Sequence, residues 1–200
     1  MDNNVTALLG NTDIYLVDQI MKGRYHPGAR LLDAGCGYGR NLYWFVQQDF
    51  EIHGVDSDAE SIRFLQASFP QVPADRFKVA DVDNLPYPDQ CFDGIISSAV
   101  LHFARDTAHF FSMLDEHVRV LKIGGSLFIR MASDIGIEDK TVSFGNCTYQ
   151  IPDGSTRFLL TRALLAEIDR RYRFAYLEPL KVVNVADQRC MSTLVIGKDF

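Results

Sequence analysis

The chain has 200 residues, with 20 basic and 26 acidic side chains, a formal net charge of −6, and 47% hydrophobic and 23% charged residues. That balance excludes the poorly hydrophobic composition of a disordered chain and supplies no overall basic character for a nucleic-acid partner. It leaves apolar material for a core without disulfides or a structural metal, in one domain spanning residues 1–200.

No apolar run reaches the roughly 18 residues of a membrane span. The start, "MDNNVTALLGNTD", lacks the basic and apolar regions of a secretory leader, so a cytosolic protein is expected. Cys36, Cys91, Cys147 and Cys190 are scattered without C-x-x-C spacing, the usage of reduced thiols rather than of disulfides or zinc. No metal site is expected.

In chain order, "TDIYLVDQIMKG" spaces Ile14, Val17, Ile20 and Met21 as one helical face, capped by Thr12 and stopped by Gly23. "ARLLDA" is a buried strand, and "RNLYWFVQQ" is the helix expected after the glycine loop that follows it. "EIHGVD" is the second strand. Ser57 and Glu60 have capping-box spacing before a helix with Ile62, Leu65 and Phe69 on one face. "RFKVAD" and "FDGIISS" are the third and fourth strands, separated by the proline-marked loop "NLPYPDQ". Asp106 caps a helix with Phe111, Leu114, Val118 and Leu121 on one face, which Gly124-Gly125 should end before the strand "SLFIRM". Residues 132–155 show no firm period and read as a long irregular segment, a form often taken by lids and binding loops. Thr161 caps the helix "TRALLAEIDRRY", whose basic end, Arg170 to Arg173, suits the helix dipole. "FAYLEPLKVVNV" and "MSTLVIG" close the chain. Their link, "ADQRC", is too short for a parallel crossover, so this pair is antiparallel.

Strands alternating with helices predict an α/β fold, a doubly wound and mostly parallel sheet whose last strand is antiparallel. Ligands of such sheets bind beyond the strands' carboxyl ends, where the strand order reverses.

That position is occupied here by "LLDAGCGYGRN", with Gly35, Gly37 and Gly39 after the first strand. Glycines admit positive φ and close ligand approach, and helix N-terminal amides there favour a phosphate or a carboxylate. The spacing is neither G-x-G-x-x-G nor a phosphate loop ending in G-K-[ST]. Asp56 ends the second strand, where a carboxylate accepts from ribose hydroxyls, and Asp81 ends the third, where it can accept from an adenine amine. An amide cradle with two such acceptors suits an adenosine carrying a small zwitterion.

These residues resemble the class I S-adenosylmethionine-dependent methyltransferases. "LLDAGCGYGRN" is similar to the family's first motif, "GVD" to the acidic end of its second strand, and "VADVDNLPYPDQCFDGIISSAVLHF" to its third motif and fourth strand. "RVLKIGGSLFI" resembles the entry to its fifth strand, with Ile123 in place of the usual proline. The likeness covers roughly residues 29–131. It implies seven strands in the order 3-2-1-4-5-7-6 and S-adenosyl-L-methionine as cofactor. It places Gly35 and Gly37 against the cofactor's methionine part, Asp56 on the ribose, Ser57 beside the adenine, Asp81 on the adenine amine, the Val82 amide on a ring nitrogen, and Ser98 nearby.

The activity then expected is in-line transfer of the methyl group to an acceptor, with alignment as the protein's main contribution. Tyr15, Tyr38 and Phe103 are candidate aromatic faces for a cation. His102, Arg157 and Arg189 are candidate substrate-facing residues, the arginines for an acidic substrate; no catalytic base is assigned. "SSAV" stands where nucleic-acid base methylases carry N-P-P-Y or D-P-P-Y, which with the acidic charge favours a small-molecule substrate over nucleic acid. A non-catalytic module binding the same cofactor remains an alternative. A nicotinamide oxidoreductase is weaker, since neither G-x-G-x-x-G nor Tyr-x-x-x-Lys is found.

Overall fold

The computed structural model of the chain describes residues 5–199, the side chains of Thr6 and Ala7 excepted. Residues 1–4, the beginning of the segment inspected for a leader, lie outside the described residues. Among the described residues no helix is long and apolar enough to cross a membrane.

In chain order the elements are α1 (Val5–Leu9), α2 (Ile14–Met21), β1 (Arg30–Ala34), α3 (Tyr43–Val46), β2 (Glu51–Asp56), α4 (Ala59–Ser68), β3 (Phe77–Val79), β4 (Phe92–Ser98), α5 (Thr107–Val120), β5 (Leu121–Ser133), β6 (Val142–Gly145), β7 (Thr148–Gln150), β8 (Thr156–Phe158), α6 (Arg162–Tyr172), β9 (Ala175–Tyr176), β10 (Lys181–Val185) and β11 (Arg189–Gly197). The main sheet is ordered β3-β2-β1-β4-β5-β11-β10, and the short β9 also pairs with β11. With β10 and β11 as sixth and seventh strands, this is the expected 3-2-1-4-5-7-6 order. β1 pairs in parallel with both β2 and β4, while β11 is antiparallel to β5 and β10. The tight β10–β11 turn places Ala186 and Asp187 at φ +49° and +59°.

The apolar runs of the central strands divide between two faces because strand side chains alternate. Leu32, Ile95, Ile129 and Leu194 join Phe110, Leu114, Leu164 and Ile168 of α5 and α6. Their neighbours Leu31, Ile96, Phe128 and Val195 join Leu16, Phe45, Ile62 and Leu65 of α2, α3 and α4. Helices therefore cover both faces, and near-continuous hydrophobicity in β1, β4 and β5 follows from that cover.

Several local expectations are corrected. Asp13, not Thr12, caps α2, its carboxylate accepting from the Tyr15 N–H. The face of α2 that turns inward carries Leu16 and Gln19; Ile14 and Met21 are exposed. Asp58, not Ser57, caps α4, accepting from the Glu60 and Ser61 N–H groups. The helix expected directly after the glycine loop is a single turn starting at Tyr43. Gly124-Gly125 do not end α5. Leu121 already pairs with Phe92, and the two glycines form an irregularity within a strand that runs to Ser133. Buried Lys198 closes that helix end, its Nζ donating to the carbonyls of Val118 and Leu121.

Residues 132–155 are more ordered than their sequence suggests. β6, β7 and β8 form a three-stranded antiparallel sheet. Ile151 and Leu159 anchor it against Ala132 at the end of β5. Strands of three or four residues, one of them fully exposed, leave no period to detect.

Candidate active site

Three cavities open around the carboxyl ends of β1 and β4, the point at which the sheet order reverses. An acidic cleft of about 390 Å³ includes Asp56, Asp81 and Asp83 in its wall. A glycine cavity of about 430 Å³ is lined by Gly35, Gly37, Tyr38 and Arg40. An arginine cavity of about 460 Å³ is lined by Arg40, Arg130, Arg157 and Arg189 together with Asp13 and Asp153. Ala99 lines all three. This residue follows β4 with φ +65°, and its N–H donates to the Arg130 carbonyl at 2.7 Å. A non-glycine residue in the left-handed region costs about 1–2 kcal/mol, and such residues concentrate where function holds the backbone.

All ten sequence-predicted residues line this group of cavities. Asp56, Ser57, Asp81 and Val82 face the acidic cleft and Gly37 the glycine cavity, with Gly35 in both walls. Ser98 lies between the glycine and arginine cavities, and His102, Arg157 and Arg189 line the latter. Asp81 stands two positions beyond the last residue of β3, not at its end.

The expected amide cradle is not free. The Gly35 and Cys36 N–H groups both donate to the Val55 carbonyl, at 2.8 and 2.9 Å. The Gly37 N–H donates to Asp56 Oδ2 at 2.8 Å, and the Gly39 N–H to the Cys36 carbonyl at 2.8 Å. The loop's amides thus bind it to itself and to β2. The cation on the glycine cavity's wall is the Arg40 side chain, which donates to Ser98 Oγ at 3.0 Å.

Nor do the glycines all make space for a ligand. A Cβ on Gly35, at φ +77°, would lie 2.5 Å from Val100 Cγ2; one on Gly39 would lie 2.3 Å from Leu65 Cδ2. Those positions accommodate the core. Gly37 alone of the three faces open space, with nothing within 4 Å of where a Cβ would stand.

In the arginine cavity, Asp13 holds several groups together. Its Oδ2 lies 3.3 Å from Arg130 Nε and 3.8 Å from Arg40 Nη2, and Ser98 Oγ donates to it at 3.4 Å. The Arg130 contact is an ion pair without an aligned hydrogen bond, since Nε has no directed partner. Arg130 instead stacks on Tyr15, 4.7 Å from the ring centre, which occupies that aromatic face. Phe103 carries Arg157 at 5.4 Å, and Tyr38 packs edge-on against Phe64. His102 Nδ1 accepts from the Ala132 N–H at 3.2 Å, which places the neutral ring's proton on Nε2. Burial, then the charge of Arg157, pushes its pKa down to about 4. In this form the ring is a donor and not a base.

A methyltransferase-domain family model matches residues 32–129 of the chain. The chain is 28% identical over 109 residues to a malonyl-[acyl-carrier protein] O-methyltransferase of Pectobacterium atrosepticum, covering 54% of this chain and 41% of that protein. It is 34% identical over 103 residues to a probable tRNA methyltransferase of Bos taurus, covering 52% and 21%. The chain thus spans less than half the length of these curated relatives. A solved S-adenosylmethionine-dependent methyltransferase from Methanosarcina mazei superposes with a TM-score of 0.72 at 18% identity, over 90% of this chain and 96% of that one.

Residues 32–129 match the S-adenosylmethionine-dependent methyltransferase family, whose fold the chain shares.

The cavities fit that family's cofactor, S-adenosyl-L-methionine. Asp56 Oδ2 and Oδ1 accept from the Gly37 and Asp58 N–H groups, yet a carboxylate has about four acceptor sites, so acceptors remain for the ribose. Beside Gly37 there is open space, and Arg40 supplies a cation for a carboxylate. Sequence reasoning missed Asp13, Arg40, Ala99 and Arg130. Of these only Arg40, within the loop motif, stood next to a recognisable signal.

Asp33 in β1 carries a further property of the fold. It is fully buried, its Oδ2 has no partner, and burial pushes its pKa up to about 7, against the opposing pull of Arg40. In the unfolded chain the same carboxyl ionises near 3.8. Between these values the folded state binds more protons, so this group's contribution to stability falls as pH rises. Relative to wild type, Asp33→Asn should gain stability between pH 4 and pH 8, by at most on the order of 4 kcal/mol. Urea unfolding of both proteins across that range measures it; a difference independent of pH would refute it.

Proposed function

We propose that this protein transfers the methyl group of S-adenosyl-L-methionine to a small-molecule acceptor by in-line displacement. The bound cofactor supplies an electrophilic methyl group on a sulfonium. The chain supplies position. Asp56 accepts from the ribose hydroxyls, with Ser57 beside the adenine; Asp81 accepts from the adenine amine, and the Val82 amide donates to the ring. Gly37 leaves room for the methionine part, and Arg40 pairs with its carboxylate in the role first assigned to loop amides. Ser98 and Ala99 form the wall at which the acceptor meets the cofactor, and His102 offers its Nε2 proton as a hydrogen-bond donor toward the acceptor.

The observation that carries this reading is the sharing of Ala99 by all three cavities. A nucleoside in the acidic cleft and an acceptor in the arginine cavity then meet at one strand end, the arrangement that aligned displacement requires. The arginine cavity's volume, about 460 Å³, falls within the range of small-molecule sites. The test is incubation with methyl-labelled cofactor and a metabolite panel, reading labelled product and S-adenosylhomocysteine together. Cofactor binding without turnover on any acceptor would favour a binding module instead.

A further inference from the structure

We propose that the acceptor is an acid, whose carboxylate or phosphate monoester is held between Arg157 and Arg189 in the arginine cavity. The inference rests on the methyl-transfer reading for naming the ligand an acceptor; the anion site itself is argued from the cavity's charges.

Four arginines line that cavity against two aspartates, in a chain whose net charge is −6. Asp13 is committed elsewhere, and Asp153 is shared with its own turn. Asp13 accepts from the Tyr15 N–H with Oδ1 and lies against Arg130 and Arg40 with Oδ2. Asp153 turns Oδ1 to the N–H and Oγ of Ser155, at 2.9 and 2.7 Å; those bonds, then the charges of Arg189 and Arg157 from beyond ion-pair distance, hold its pKa below the usual carboxylate value. Among the described residues neither Arg157 nor Arg189 has an ion-pair partner within 4.0 Å, unlike Arg40 and Arg130 in the same wall.

These two arginines belong to different sheets. Arg157 lies in β8 and Arg189 begins β11. The Asp153 N–H donates to the Gln188 carbonyl at 3.2 Å, tying the β7–β8 turn to the β10–β11 turn beside Arg189. Arg157 lies over the Phe103 ring and spends one N–H, from Nη1, on the Thr156 carbonyl. A guanidinium has five N–H donors in a planar fork, so most remain for an anion. His102, neutral with its proton on Nε2, adds a donor and no competing negative charge. Two guanidinium groups without an ion pair within 4.0 Å, in the wall of one cavity, suit a carboxylate or phosphate over a neutral or cationic ligand.

The test uses the full chain with malonate and with inorganic phosphate as minimal anions, followed by amide chemical shifts. Saturable shifts are expected at residues 98–102 and 155–157. The Kd should rise at least tenfold in R157Q/R189Q while S-adenosylhomocysteine affinity stays within twofold. R189Q alone, at an exposed position, should move the Kd in the same direction and serves if the double variant fails to fold. A malonate-selective site points to a carboxylate acceptor, a phosphate-selective one to a phosphate ester. Absence of saturable shifts with both anions, or shifts unaltered by the substitutions, overturns the proposal. So does a single-stranded RNA that perturbs the same amides more tightly than either anion. Calorimetric titration of wild type with S-adenosylhomocysteine reads the parent proposal separately; its failure there leaves the anion result intact.

Discussion

Replacement of Asp56 by alanine should raise the Kd for S-adenosylhomocysteine about 100-fold, a loss of ~3 kcal/mol. Asp56 has two kinds of duty. Its oxygens accept from the Gly37 and Asp58 N–H groups at 2.8 and 3.0 Å, which holds the glycine loop against the end of β2. The same carboxylate lines the acidic cleft, where we propose that it accepts from the ribose. Alanine removes the ligand's acceptors and releases the loop that shapes its site. Asp56→Asn keeps one carbonyl acceptor and should lose less. Calorimetry on both variants, with thermal melts as a control for folding, gives the comparison. Wild-type affinity in Asp56→Ala would remove this residue from the cofactor site.

The second large effect is structural. Gly35→Ala should destabilise the fold by roughly 3 kcal/mol, from a left-handed backbone and overpacking together. The new methyl group would stand 2.5 and 2.9 Å from the two γ-carbons of Val100. If that clash is the cause, Val100→Ala in the same chain should return part of the loss. A double-mutant cycle should then show a coupling of about 1–2 kcal/mol. Gly37→Ala provides the contrast. No heavy atom lies within 4 Å of its added carbon, so its stability cost should be near 1 kcal/mol, from the backbone alone. Its effect should appear in cofactor affinity. Denaturant unfolding separates the cases, and strictly additive losses for Gly35 and Val100 would refute the packing explanation.

The pair of glycines shows where the sequence was legible and where it was not. Their density after an apolar strand marked the loop correctly, because strand, loop and strand-end acid are local features in one fixed order. What each glycine accommodates was not legible. Val100 reaches Gly35 from the end of β4, and Leu65 reaches Gly39 from α4; one glycine lacks a side chain for the core and another for open space. Likewise the loop's N–H groups looked available until β2 was placed beside them, with the Val55 carbonyl and the Asp56 carboxylate as acceptors.

The sequence alone determined the α/β class, the extents of β2 and β4, the caps Asp106 and Thr161, and the antiparallel closing pair, and it named Asp56, Ser57, Asp81 and Val82, which line the acidic cleft. Apolar runs, short polar caps and turn lengths act over a few residues, so their physics is written locally. Only the tertiary structure decided which side of the sheet α2 turns inward, the small sheet within residues 132–158, and the joining of Asp13 to Arg40, Ser98 and Arg130. Asp13 and Ser98 are 85 positions apart, and they meet because Asp13, which caps α2, lies beside Ser98 at the end of β4 and Arg130 in β5. Side chains so distant in the chain share a cavity only when the sheet's order brings them there, and no local pattern records that meeting.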